Sequence, residues 1–98
     1  MPYKNKMVNA KRTKFIIVDG DTIRLNRALN GNNFVRLAGV DAPELNTRAR
    51  HKAKEELKQM LRGKNITVQT VGKSYGRNVA VVRARGTNIN NAMRRRGY

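Results

Sequence analysis

Six acidic residues stand among twenty-two Lys and Arg in this chain, and four of the six border turns or expected strand ends. These four are Asp19, Asp21, Asp41 and Glu44. Turn formation accounts well for Asp19 and fairly for Asp41, because Asp and Asn favour such positions. It accounts poorly for Glu44. A hard-cation site is the other account: calcium takes oxygen ligands from carboxylates, backbone carbonyls and water. Asp21 opens one expected strand and Asp41 follows another, and in a meander two such positions can converge on one ion. Glu44, three residues beyond Asp41, then stands near the ion and is free to take a proton from a water molecule. Spacing alone leaves both accounts open. Glu55 and Glu56 lie mid-helix among Lys52, Lys54 and Lys58 and read as ordinary surface partners.

Two arginines extend this chemistry. Arg36 alternates with Val35 and Leu37, so it points to the face opposite those apolar side chains. Arg77 closes a Gly-containing loop before a strand. Forked guanidinium groups suit a phosphate that gathers negative charge during hydrolysis. In so basic a chain, however, position does not single out Arg36 and Arg77 from Arg24 or Arg83. Tyr75, within that loop, suits stacking on a base or bonding to a phosphate, and equally a turn residue tucked against the barrel. The lone His51 falls off the apolar stripe of its helix and reads as a solvated residue. The lack of Cys and of a second His argues against a zinc site.

The elements that must hold these residues follow from pattern. Residues 1–12 are expected to be a basic, flexible segment, and residues 13–98 the domain. Phe15–Val18 is a β-rich run ended by the turn Asp19-Gly20-Asp21. Thr22–Leu25 alternates as a half-buried strand does. Asn30-Gly31-Asn32-Asn33 turns the chain into a third strand, Phe34–Val40. Pro43 breaks that strand. A helix is expected over Thr47–Leu61, with Ala49, Ala53, Leu57, Met60 and Leu61 on one stripe. Asn46 or Thr47 caps its start, and Gly63 ends it in a left-handed conformation. Strands at Asn65–Val71 and Asn78–Ala84 follow, joined by a loop over 72–77, and then a short helix over Asn88–Arg95. The order β-β-β-α-β-β-α is mainly β with two helices, and it is the layout of a five-stranded OB barrel.

Ninety-eight residues make one domain with one small core. A net charge of +16 attracts polyanions, nucleic acid first among them. A basic coat protein for RNA or DNA, or a surface for anionic lipid, would carry similar charge. The basic N-terminus has no apolar stretch behind it, and the first apolar run, Phe15–Val18, is too short for a signal peptide or a membrane span. The expectation is a cytoplasmic protein as written, or a secreted one after signal removal, with no membrane partner. Its oligomeric state is expected to be monomer or weak dimer.

Val18-Asp19-Gly20-Asp21-Thr22-Ile23, then Val35–Glu44, then Tyr75-Gly76-Arg77 resemble the staphylococcal nuclease family, and Asn90–Met93 with Gly97-Tyr98 fits as well. The resemblance runs from about residue 14 to the C-terminus. It implies an OB barrel and a calcium-dependent nuclease acting on DNA and RNA, leaving a 3′-phosphate and a 5′-hydroxyl. Carried over by position, Asp21, Asp41 and the Ala42 carbonyl would bind Ca2+, with Asp19 supporting them. Glu44 would be the general base or orient the attacking water. Arg36 and Arg77 would clamp the phosphate, and Tyr75 would approach the phosphate of bound nucleotide. An alternative is a catalytically inactive nucleic-acid-binding module of the same kind; the joint presence of Asp21, Asp41, Glu44 and both arginines favours the enzyme. Three departures stand out. Lys73 sits where the family often has Asp, and the loop after Glu44 is shorter than in the secreted prototype. The resemblance also stops after the second helix, without the family's C-terminal helix, so weaker base contact and lower stability are expected.

Overall fold

The computed structural model describes residues 9–43 and 47–98. Seven strands and two helices follow in the order β1 (Asn9–Arg12), β2 (Phe15–Asp19), β3 (Thr22–Leu29), β4 (Asn32–Leu37), α1 (Thr47–Leu61), β5 (Ile66–Ser74), β6 (Arg77–Ala84), β7 (Thr87–Asn88) and α2 (Ile89–Arg95). The chain is therefore mainly β with two helices, as its pattern predicts. Among the described residues the strand count is seven rather than five. β1 was hidden because it is a polar edge strand: within the expected flexible segment, Asn9–Arg12 pair antiparallel with β5, and Ala10 packs into the core. β7 is only two residues long and pairs with β6.

The sheet path is β1-β5-β6-β4-β3-β2. Its two ends, β1 and β2, are consecutive in the chain and separated by Thr13-Lys14 alone. The sheet therefore curls until its edges become the two halves of one bent strand, an arrangement compatible with an OB barrel. The Asn26 amide, donating to the Lys14 carbonyl at 3.1 Å, carries the pairing across the bend. β2, β3 and β4 form the expected antiparallel meander, while β4 and β6 pair in parallel.

Tight turns set the register. Asn30-Gly31, Tyr75-Gly76 and Arg85-Gly86 each place two successive residues at positive φ, the geometry that matches the twist of a two-residue hairpin. The connection between β5 and β6 is thus a two-residue turn and not the longer loop expected over 72–77. Gly72, Lys73 and Ser74 remain in β5, beyond an irregularity between Thr70 and Gly72. Gly63 does end α1 at positive φ.

The core is Ile23, Leu25, Val35, Leu37, Val68 and Val82 from the sheet, closed by Leu57 and Leu61 of α1 and Ile89 and Met93 of α2. Ala53 is buried as the stripe predicts, whereas Ala49 and Met60 are only partly covered. Two buried asparagines tie elements together. The Asn78 side-chain amide donates to the Leu29 carbonyl at 2.8 Å and to those of Asn32 and Phe34 at 3.2 Å, pinning the β3–β4 hairpin to β6. The Asn90 side chain accepts from the Val82 amide at 2.9 Å and donates to the carbonyls of Ala38 and Ala80. Asn88 caps α2 by accepting from the Asn91 amide.

Beyond α2, the Tyr98 hydroxyl donates to Glu56 on α1, and Arg96 lies 3.5 Å from the same carboxylate. Glu56 is thus partnered by the C-terminal residues and not by the lysines of its own helix. The hydrogen bond to Glu56 pushes the Tyr98 phenol up to about 12, helped by burial and by the nearby negative charge.

Two outcomes follow. Asn78→Ala strands buried carbonyls and should lower the unfolding free energy by about 2–3 kcal/mol in a urea titration; a loss below about 0.5 kcal/mol would contradict its pinning role. For Tyr98, the folded pKa lies above the unfolded one, so its contribution is present below the unfolded value near 10 and is lost as pH rises through about 12. Ultraviolet titration should show a late phenolate phase near pH 12 that Tyr98→Phe removes. A variant curve that still contains this phase would assign it elsewhere.

Candidate active site

The site grows from the turn between β2 and β3. Gly20 is there because nothing larger fits: a Cβ on it would lie 2.6 Å from the Cβ of Ala53 and 2.9 Å from that of Ala42. The absence of a side chain lets α1 and the 38–43 segment close on the turn that carries Asp19 and Asp21. Asp21 is buried, and its backbone carbonyl accepts from the Leu37 amide at 2.8 Å. Its side chain accepts from the Thr22 hydroxyl at 2.8 Å and from the Ala42 amide at 3.1 Å.

Arg36 arrives from β4. Val35 and Leu37 fill the core, so alternation sends Arg36 to the other face, as its sequence position predicts. Its Nη1 donates to the Val40 carbonyl at 3.0 Å and lies 3.4 Å from Asp21 Oδ2, and its Nη2 donates to Asp41 Oδ1 at 2.6 Å. One guanidinium thus bridges two carboxylates from distant parts of the chain. The Asp21 side chain is 6% exposed and that of Asp41 89%, so one acid is fixed in the fold and the other faces solvent. A shallow cavity of about 360 Å³ opens here, lined by Arg36, Val40, Asp41, Ser74 and Val79 among others.

Three further residues frame the site. Asp19 accepts from Arg50 Nε of α1 at 2.6 Å. Arg77 neighbours Asn78 in β6, and the parallel register Arg36↔Val79 puts it on the same face of the β4·β6 pair as Arg36. Tyr75 is 97% exposed at the tip of the β5–β6 hairpin, with φ +52°, and so is not tucked against the sheet. Glu44 lies outside the described residues. His51 is exposed, as expected.

Sequence reasoning missed four supports. Thr22 orients Asp21, Arg50 pairs with Asp19, and Gly20 permits the close approach. The Tyr98 carbonyl accepts from the Asp41 amide at 2.9 Å, anchoring the loop that holds the second acid. The Thr directly after Asp21 was a visible signal, since a hydroxyl beside a buried carboxylate is a ready donor. The other three depend on which elements pack together.

The donors facing one another here are oxygens, the set a hard cation takes. Among the described residues no group of three or more His, Cys, Asp or Glu side chains gathers to hold a metal. Asp21 and Asp41 already share one cation, the Arg36 guanidinium, which matches their negative charge. For an ion to take both acids, Arg36 must withdraw from between them.

Comparison with known proteins gives this geometry a context. A protein from Haemophilus influenzae named "Uncharacterized endonuclease" is 38% identical over 82 residues, which cover 83% of this chain and 46% of that protein. The chain therefore spans about half the length of this curated relative. The family described as "Staphylococcal nuclease homologue" matches residues 34–98, which include Arg36, Asp41, Arg77 and both helices. By that match the chain belongs to the staphylococcal nuclease homologue family.

Proposed function

We propose that the chain is a calcium-dependent nuclease that hydrolyses phosphodiester bonds of DNA or RNA. The observation that carries the reading is the convergence of Asp21 and Asp41 on the Arg36 guanidinium, beside a cavity that Arg36 and Asp41 line, in a chain of this family. A net charge of +16 suits a polyanionic substrate.

In this reading Asp21, Asp41 and the Ala42 carbonyl would hold Ca2+, and Asp19 would support them through its link to α1. When bound, the ion supplies Lewis-acid polarisation of the phosphate. Arg36, whose fork holds the two acids, would offer that fork to the phosphate oxygens. Arg77, on the same sheet face, binds the phosphate with it and offsets the charge that gathers there. Glu44 accepts a proton from the attacking water. Water oxygen bonds to phosphorus, the bond to the 5′ oxygen breaks with its electron pair, and protonation from solvent gives a 5′-hydroxyl and a 3′-phosphate. Tyr75 contributes at the rim, where its exposed ring meets the bound nucleotide.

Cleavage of single-stranded DNA in calcium, in magnesium and in EGTA tests the proposal, with Glu44→Ala and Arg77→Ala alongside. Cutting should require calcium, and kcat should fall by about 100-fold or more in both variants with little change in affinity. Tight binding without cutting in calcium would instead identify a nucleic-acid-binding module that has lost catalysis.

A further inference from the structure

α1 and β2 meet as the arms of a wedge. Its closed end is the contact of Gly20 with Ala53. Its open end is a groove of about 550 Å³ between β2 and the C-terminal half of α1, away from the two acids. The floor is apolar: Phe15, Ile17 and Leu61 line it, and Ile16, 57% exposed, stands at its edge. The rim is cationic, with Lys54, Lys58, Arg62 and Lys64. No carboxylate lines the groove among the described residues, and none of these four cations joins a salt bridge there. The acids of α1 are segregated from it: Glu55 and Glu56 line a separate cavity on the other flank, with Lys52 and Arg96.

Lys54 and Lys58 of α1 and Arg62 just past its end, whose amide still donates to the Lys58 carbonyl at 2.9 Å, recur every four residues and so advance by about 6 Å per step. That interval is close to the separation of successive phosphates in an extended single strand. An apolar floor beside such a row suits a base or sugar lying flat while its phosphates meet the cations. A patch serving charge alone would need no floor.

We propose that this groove is a second contact site for single-stranded nucleic acid, which holds a strand along α1 while another part of it reaches the acids beyond Asp19. The proposal deepens the nuclease reading in its purpose, but its test reads binding and does not require cleavage.

Affinities are measured in EGTA for a single-stranded DNA of about 16 nucleotides and for a dinucleotide. The variant Lys58→Gln/Arg62→Gln is compared with Lys52→Gln/Arg95→Gln, which removes the same charge elsewhere on the surface. The groove variant should bind the long strand about 10-fold more weakly, with a salt slope smaller by about 1.4 for two lost phosphate contacts, and the control should change less than about 2-fold. Dinucleotide affinity should stay the same in both. Ile16→Ser, which removes no charge, should weaken long-strand binding and leave the slope unchanged. Equal losses in the two double variants would show diffuse attraction and overturn the proposal. So would a matching loss for the dinucleotide. Absence of cleavage in calcium would sink the nuclease reading while leaving this binding result to stand or fall by itself.

Discussion

The guanidinium of Arg36, shared between Asp21 and Asp41, is the interaction on which the site depends. A buried carboxylate is tolerable only when its charge is matched and its lone pairs are satisfied. Asp21 meets that condition through Thr22, the Ala42 amide and Arg36. Each partner comes from a different stretch of chain, so satisfying one acid aligns the start of β3, the end of β4 and the segment after it. Removing the guanidinium without a replacement cation would leave the buried charge poorly compensated. Any cation that displaced the guanidinium would have to meet the same demand.

The rest of the fold holds these partners at the right separation. Asn78 locks the β3–β4 hairpin to β6, which fixes where Arg36 leaves the sheet. Asn90 joins α2 to the Ala38 carbonyl, and Tyr98 holds the Asp41 amide, so the second acid is supported from the C-terminal helix. Gly20 then allows α1 to close on the first acid's turn, where Arg50 reaches Asp19. In a chain so rich in positive charge, three of the six acids are paired with two arginines, Arg36 and Arg50, at this one end of the sheet.

Local chemistry was readable from the residues alone wherever it is dictated by near neighbours. Asn30-Gly31 announces its hairpin because both residues tolerate positive φ, and α1 runs over Thr47–Leu61 as the spacing of Ala53, Leu57 and Leu61 requires. The meander makes the meeting of Asp21 with the segment after β4 foreseeable, and alternation gives the direction of Arg36. Long-range packing was not readable. β1 carries almost no apolar signal because an edge strand buries little, and β5 extends through Gly72-Lys73-Ser74, residues that look like a loop until β6 pairs with them. The partners of Asp19 and Glu56 were hidden for a similar reason, since each lies on another element whose placement only the packed core determines.

Calorimetric titration of calcium into the wild-type chain, Asp21→Asn and Arg36→Gln tests the central claim most directly. The wild type should bind calcium, and Asp21→Asn should lose that binding. Arg36→Gln should bind calcium at least as tightly as the wild type, because the cation competing for the two acids is gone. Unchanged binding in Asp21→Asn, or weaker binding in Arg36→Gln, would contradict the account.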